Sequence, residues 1–562
     1  MRWIEYAVFL AIVVALAKPA GLYLARVFEG KSTWLDPVLR PVESIIHAVL
    51  GVRREREMSA GLYFLSFVLF SSLGALALFA LLMLQMALPG GPADRYLTTP
   101  MTPDLALNTA ISFATTTTWQ AYAGESTLRY LSQAVGLASQ NFLAGGAGLA
   151  VGIAFIRGMA RSNAATIGNF WVDLVRAILW VLLPISLVGG VFLMWQGVPM
   201  NLAPYAQVHT LEGPLQTIAQ GPVAALELIK NLGTNGGGFF NVNGAHPYEN
   251  PTPLTGFVAL LAIAVLPAAL TLTFGEMTGR PRAGWVLLWV MIALFAGGLA
   301  VCDQAEAAQP PHLAALHVVG GNMEGKETRF GVGDSVLTAV VISNGATGSY
   351  DSMHDSFEPL GVTVPLVNML LGEIIFGGLG TGIYSIVMIA LVAVFLGGLM
   401  IGRTPAYLGK RVTAAETKLV ALYMLLTPLV VMCLSAVALV AKDGLAGIAV
   451  NPGPHGLTEV IYAYASAMAN NGQAMASLSA NSLFYNATTG VAMLAGRFGL
   501  SGVALALAGK FAAQGRLQAT SGALPSDTVS FGALVLAAVV IIGALNFFPA
   551  LALGPVLEAL RR

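Results

Sequence analysis

Long apolar runs broken at four places by short polar, glycine-bearing clusters constrain this chain more than anything else in it. The clusters are Thr115–Gln120 (TTTTWQ), Gly233–Gly238 (GTNGGG), Ser343–Ala346 (SNGA) and Ala469–Gln473 (ANNGQ). Centred on Thr117, Asn235, Asn344 and Asn471, they stand 118, 109 and 127 residues apart. Runs of about 20 apolar residues, the length that crosses a bilayer, fall at 4–24, 62–87, 128–156, 173–195, 254–275, 284–302, 364–400, 416–441, 484–510 and 529–553. Shorter apolar stretches at 103–114, 222–232, 334–342 and 458–468 each lead into one cluster. They are too short to cross and read as re-entrant pore helices. Irregular polar backbone at membrane depth is tolerated only where it is buried in protein or lines a watery cavity. Four such breaks therefore imply four loops around one axis, the construction of an ion filter.

Composition supports a membrane reading. Of the 562 residues, 56% are hydrophobic and 10% charged, against roughly 25% charged in a soluble domain. The net charge is zero, so no basic field argues for nucleic acid. With the N-terminus outside, the connections 26–61, 157–176, 276–283, 401–418 and 497–528 face the cytoplasm. They then carry 18 of the 28 Lys and Arg residues, and the outer termini and loops nine. This bias follows the positive-inside rule, and both termini and all four clusters fall on the outer side. The opening segment has no small-x-small cleavage site before Pro19, so Ile4–Leu24 reads as a retained helix.

The expected fold is an all-α polytopic membrane protein. Ten transmembrane helices carry four re-entrant pore helix–filter loops in fused, channel-like, pseudo-fourfold repeats. The repeats span 62–157, 173–275, 284–400 and 416–510. Residues 1–61, an N-terminal helix and cytoplasmic segment, precede them, and a C-terminal helix in 529–562 follows.

A dehydrated alkali cation needs several oxygen dipoles at close range, and backbone carbonyls supply them without net charge. Glycine permits the left-handed and extended conformations that such loops use. Carboxylates are absent from the cluster cores, which disfavours a divalent-ion site. The stretches TTTTWQAYAGE (115–125), GTNGGGFFNVNGAHPYENPTP (233–253), SNGATGSYDSMHDSFEPLG (343–361) and ANNGQAM (469–475) resemble the filters of the potassium-binding A subunits of Kdp-type potassium-transporting ATPases. The resemblance runs over essentially the whole chain. It implies a bacterial inner-membrane subunit that selects potassium outside the cell and passes it to a P-type ATPase partner, with two smaller subunits in the complex. By resemblance, the filter residues are Thr116, Thr117, Thr234, Asn235, Ser343, Asn344, Asn470 and Asn471, with Gly236, Gly345 and Gly472 as hinges. Gln120 and Gly237 stand at the mouth. The third loop departs from the family in carrying Asn344 where a Cys can occur. A stand-alone channel or secondary transporter of the same four-repeat superfamily is the competing reading.

Segment 364–400 is too long for one span, and Gly372, Gly377, Gly378, Gly380 and Gly382 weaken it. A broken helix is expected there, with its loop below the filter. The resemblance implies that this loop, with Glu373, Gly377, Gly378 and Gly380, is a gate. Glu373 is either a functional intramembrane carboxylate or a brace for the loop backbone. Glu249, Asp351, Asp355 and Glu358 lie near the outer mouth, where they either concentrate cations or are solvated loop charges. His246, His354 and His455 lack the spacing of a metal site, as do Cys302 and Cys433. Neither a DKTG phosphorylation motif nor a G-x-x-x-x-G-K-[ST] loop is present. The chain is expected to be non-catalytic by itself, with potassium as its transported ion and no nucleotide bound to it. Its expected surroundings are membrane lipids and the ATPase complex.

Overall fold

The computed structural model describes residues 2–88, 91, 93–310, 314–317, 319–400, 402, 405–516 and 525–561. Helix α1 (Arg2–Phe28) is followed by a short helix α2 (Asp36–Val49) and by α3 (Ala60–Ala87). Next come α4 (Pro103–Ala114), α5 (Ser132–Ala160), α6 (Phe170–Gln196), α7 (Ala224–Leu232) and α8 (Pro253–Met277). Helices α9 (Pro281–Ala307), α10 (Gly331–Asn344), α11 (Pro359–Leu370) and α12 (Thr381–Met400) make up the third stretch. The last are α13 (Ala414–Val440), α14 (Pro454–Ala469), α15 (Leu483–Ala513) and α16 (Val529–Arg561). Among the described residues, ten of these helices are long and apolar enough to cross a membrane. Two small antiparallel hairpins, Ala206–His209 with Leu215–Ile218 and Ala406–Tyr407 with Lys410–Arg411, sit in connections.

Several of the long helices begin where a hydroxyl satisfies the first free amides. Ser59 caps α3, and Thr528 caps α16. Reciprocal capping boxes open α8 (Thr252 with Thr255) and α13 (Thr413 with Glu416). A helix closes its own backbone bonds, which is why apolar runs of this length fold as helices in lipid. The expected break in 364–400 is present: α11 stops at Leu370, and α12 restarts at Thr381.

The short helices α4, α7, α10 and α14 have 12, 9, 14 and 16 residues. At 1.5 Å per residue, none is long enough to cross. Helix α5 is the inner wall, with 89% of its apolar stretch buried; 22% is buried in α3 and in α13. Small residues on α5 admit the loops. A Cβ on Gly145 would lie 3.1 Å from Gly233 Cα, and one on Gly152 only 2.6 Å from Gly380 Cα. Backbone from two different loops thus packs directly on this helix.

Candidate ion-selectivity filter

Each short helix ends in the same way. Just past its C-terminal turn the chain enters the left-handed region, at Thr116 (φ 64°), Thr234 (49°), Ala346 (50°) and Asn470 (55°). Left-handed residues commonly terminate helices, but glycine usually takes that place. Here a side-chain-bearing residue takes it four times. The next amide then reaches back to the helix. Asn235 N–H donates to Lys230 O (2.9 Å), Thr347 to Ile342 O (3.1 Å) and Asn471 to Ser466 O (2.9 Å). In the first loop Thr118, one residue later, donates to Ser112 O (3.1 Å).

This geometry sets the register, and it differs from the sequence expectation in the third loop. Ser343 and Asn344 form the last turn of α10, and Gly345 (φ −86°) is its C-cap. The stretch that matches Thr234-Asn235-Gly236 and Asn470-Asn471-Gly472 is Ala346-Thr347-Gly348, three residues beyond Ser343-Asn344-Gly345. The physical reason lies at the end of α10. Asn344 Nδ2 donates to Val340 O (2.8 Å), and Ser343 Oγ donates to the same carbonyl (3.1 Å). Both side chains bond back along the helix instead of opening a turn. Ser343 Oγ also accepts from Asn368 Nδ2 (3.0 Å), so these two residues brace the loop from behind.

The four loops close into a ring in chain order. Thr118 Oγ1 donates to Asn235 O (2.8 Å), joining the first and second. Gly348 N–H donates to Asn235 O (3.3 Å), and Gly237 N–H to Gly348 O (3.0 Å), joining the second and third. A Cβ on Gly348 would lie 2.8 Å from Gly472 C, and a Cβ on Gly472 would lie 2.0 Å from Thr117 O. These contacts join the third to the fourth and the fourth to the first. Only glycine fits where two loop backbones touch. Side chains tie the ring further. Asn470 Nδ2 donates to Thr117 Oγ1 (3.0 Å), which also meets Thr115 Oγ1 (2.8 Å). Asn471 Nδ2 donates to Ile342 O (3.1 Å).

A cavity of about 460 Å³ opens above the ring, lined by Thr118, Gln120, Gly237, Gly348 and Gly472 among others. Gln120 does two things there. It lines the cavity, and it clamps the second loop: Oε1 accepts from Gly238 N–H (2.8 Å), while Nε2 reaches Gly238 O (3.3 Å) and Tyr122 Oη (3.0 Å).

The linker between α11 and α12 lies directly against the underside of the ring. Gly372, Glu373, Phe376 and Gly380 are all left-handed there. Leu379 N–H donates to Thr234 Oγ1 (2.6 Å), and Asn471 Nδ2 donates to Glu373 Oε1 (3.0 Å). A Cβ on Gly378 would lie 2.8 Å from the Cβ of Ala346. Gly377 is equally confined, its Cβ position 1.6 Å from Glu373 O, and Gly380 packs on Gly148 of α5. Three of the four loops thus rest on this linker.

Arg497, in a π turn of α15 (Ala495–Leu500), is a component that sequence reasoning missed. Charge counting along the chain puts it in a cytoplasmic loop. It is instead buried, donating from Nη1 to Thr116 Oγ1 (3.1 Å) and from Nη2 to Ala144 O (2.8 Å). Among the described residues it has no carboxylate partner. A lone arginine inside an apolar segment is the signal that could have found it.

The outer acidic residues do not line the mouth. Glu249 and Glu227 both pair with the buried Lys230, and Glu249 Oε1 accepts from Phe240 N–H (2.8 Å). Asp351 is buried and accepts from Thr338 Oγ1 (2.9 Å). Glu306 accepts from Glu358 N–H (2.7 Å). His246 stacks on Phe240 (3.7 Å between ring centres), and His354 Nδ1 meets Tyr462 Oη (2.8 Å). Cys302 is buried on α9 and Cys433 exposed on α13.

Asp355 and His455 tie the third and fourth loops to the end of the chain. Asp355 N–H donates to Met475 O (2.9 Å), and its carboxylate holds His455 Nε2 (3.1 Å); His455 Nδ1 meets Glu558 of α16 (3.0 Å). Hydrogen bonds to Asp355 and Glu558 outweigh burial and raise the His455 pKa from 6.5 to about 10. A raised histidine stabilises the fold fully below its ordinary pKa and loses that effect as pH passes its folded value. We therefore expect His455→Gln to cost about 1.5–3 kcal/mol, the range for bonds to charged groups, at pH 6. The melting-temperature gap from wild type should shrink steadily between pH 6.5 and 10. A gap independent of pH would show that His455 is neutral in the fold.

Comparison with known proteins accords with this architecture. The family model described as potassium-transporting ATPase A subunit matches residues 7–560. The potassium-transporting ATPase potassium-binding subunit of Methylobacterium nodulans is 51% identical over 558 residues, covering 99% of this chain and 97% of the relative. That of Bradyrhizobium diazoefficiens is 49% identical, covering 99% and 98%. In fold, the chain is similar to the crystal structure of the potassium transporter TrkH from Vibrio parahaemolyticus. There the TM-score is 0.50 at 12% identity, with 86% of this chain and 96% of that one covered. This multi-pass membrane protein belongs to the family of potassium-transporting ATPase A subunits.

Proposed function

We propose that this chain is the potassium-selecting subunit of an ATP-driven uptake complex in a bacterial inner membrane. The observation that carries the reading is the closed ring of four glycine-bearing loops beneath a polar cavity. In this reading the left-handed residue and its two successors in each loop present oxygens to a dehydrated potassium ion. They are Thr116–Thr118, Thr234–Gly236, Ala346–Gly348 and Asn470–Gly472. Ser343, Asn344 and Gly345 support the third loop from the helix side. Neutral oxygens at fixed spacing favour a monovalent cation, since they offer dipoles without the carboxylate charge of divalent sites.

The cavity and both termini face outside. The ion then passes the linker holding Glu373, Gly377, Gly378 and Gly380, which acts as a gate. Arg497 adds a fixed positive charge beside it. With no phosphorylation or nucleotide-binding motif in its sequence, the chain leaves ATP hydrolysis to a P-type ATPase partner, and two smaller subunits complete the assembly. A stand-alone channel or secondary transporter is the alternative, kept in view by the fold shared with TrkH.

Potassium binding to the purified complex tests the reading through Gln120→Arg. Arginine cannot accept the Gly238 N–H bond that Gln120 now holds, and it adds a cation at the mouth. Losing a buried bond of this kind costs about 1–3 kcal/mol, so the apparent potassium affinity should fall roughly 10- to 100-fold. Unchanged affinity places Gln120 off the ion path. Purification without an ATPase, together with unaided potassium conduction, selects the channel alternative.

A further inference from the structure

Helix α2 exposes an apolar stripe that nothing among the described residues covers. Val38, Val42, Ile45 and Val49 recur at helical spacing and are 67, 40, 64 and 80% exposed. Trp34, just before the helix, is 80% exposed. The opposite face, with the buried Glu43 and His47, packs on the first turns of α6. A short helix that packs flank-on against the end of a membrane span, turns its apolar face outward and follows an exposed tryptophan has the form of an interfacial helix.

Beside it lies a cavity of about 180 Å³ walled by Lys31, Arg40, Arg54, Arg176 and Trp180. Its two carboxylates are already engaged: Asp36 pairs with Arg40 (2.6 Å), and Glu43 meets Arg176 Nε (3.1 Å). Among the described residues Arg54 bonds neutral groups, His47 Nδ1 (2.8 Å) and Ser44 Oγ (2.9 Å). Trp180 is 5% exposed, and its indole Nε1 finds no acceptor among the described residues. Lys31 pairs with Glu29 outside the cavity wall (2.6 Å), so among the described residues Arg54 is the wall cation left without a carboxylate, and Trp180 supplies a buried donor without a partner. Buried donors normally have partners, and a guanidinium pair with further N–H groups suits a phosphate.

We propose that this cavity binds the phosphodiester headgroup of an anionic phospholipid, with the stripe on α2 lying among its acyl chains. Positive charge around a cavity would suit free phosphate equally. The apolar stripe continuous with the site argues for the lipid. Lipid binding here is independent of the filter and rests only on the chain being in a membrane.

Native mass spectrometry of the full chain in detergent, titrated with phosphatidylglycerol, phosphatidylcholine or inorganic phosphate, tests this. Phosphatidylglycerol should bind more tightly than phosphatidylcholine. Arg54→Gln, which strips no carboxylate of its partner, should weaken phosphatidylglycerol binding about fivefold, the effect of one juxtamembrane cation, and weaken phosphatidylcholine, whose choline offsets its phosphate charge, by less. Val42→Asp, on the exposed stripe, should weaken both lipids. Equal binding of the two lipids with no response to Arg54→Gln overturns the site. Full competition by inorganic phosphate, with no effect of Val42→Asp, assigns the cavity to free phosphate and overturns the lipid. An unshifted melting temperature for Arg54→Gln excludes misfolding as the cause of lost binding.

Discussion

Gly472→Ala is expected to abolish discrimination between potassium and sodium. The added methyl would sit 2.0 Å from Thr117 O, a backbone atom of the neighbouring loop, at φ +91°. A left-handed alanine alone costs about 1–2 kcal/mol. The contact costs more than the backbone conformation, because no side-chain rotation relieves it and Thr117 must move. Gly236→Ala repeats the conflict at the opposite junction, 2.2 Å from Gly348 N at φ +98°. Each change should lower the potassium-over-sodium ratio at least tenfold, read as stimulation of the purified complex by each cation. Gly345→Ala is the internal control. At Gly345 φ is ordinary, and the methyl would meet the Ile263 side chain at 2.3 Å, so stability should suffer more than selectivity. An unchanged ratio in Gly472→Ala removes that junction from the ion path.

The contrast between Gly345 and Gly348 shows where the sequence is legible and where it is not. Long apolar runs and the short helices ahead of each cluster announce themselves, because backbone in lipid has few ways to satisfy its polar groups. Even the break in 364–400 follows from its glycines. The register of the third loop does not. Asn344-Gly345 carries a strong turn signal and matches the Asn-Gly pairs of the second and fourth loops. Whether such an asparagine opens a turn or bonds back to the preceding helical turn depends on what surrounds the helix end. Here Asn368 of α11 holds Ser343 in the helix, a partner 25 residues away that local pattern cannot supply.

Charges mislead for the same reason. In sequence Glu249 is a candidate for a cation-gathering mouth, and Lys230 an outer-loop charge. They are partners, and with Glu227 they lie buried behind the second loop. The carbonyl of the same Lys230 receives the amides of Asn235 and Gly236 (2.9 and 2.8 Å). A buried cation left without its acid would be costly, so this trio holds α7 in place where the second loop hangs from it. Polar residues close in sequence to the filter thus divide by distance from the axis. Those lining the ring are neutral, and the charged groups behind the second loop are paired with one another.

Arg497 is the exception to that division, and Arg497→Met is expected to make the protein leak. The guanidinium touches the first loop at Thr116 Oγ1 and α5 at Ala144 O, and Phe67 faces it at 5.4 Å. With no carboxylate among the described residues to cancel it, its charge would act, on the proposed path, on any cation that has cleared the ring. At an effective dielectric constant of about 20, two unit charges roughly 8 Å apart repel by about 2 kcal/mol. Methionine fills much of the same volume without charge, so uncoupled potassium flux into proteoliposomes should rise about thirtyfold, that repulsion converted at 1.36 kcal/mol per factor of ten. Arg497→Lys separates the two roles of the residue. Lysine keeps the charge but cannot span Thr116 and Ala144 with a planar fork. If the barrier is electrostatic, the lysine variant stays tight while the methionine variant leaks. If both leak equally, Arg497 acts by holding the first loop. A tight methionine variant would mean that the barrier below the ring belongs to the Gly372–Gly380 linker alone.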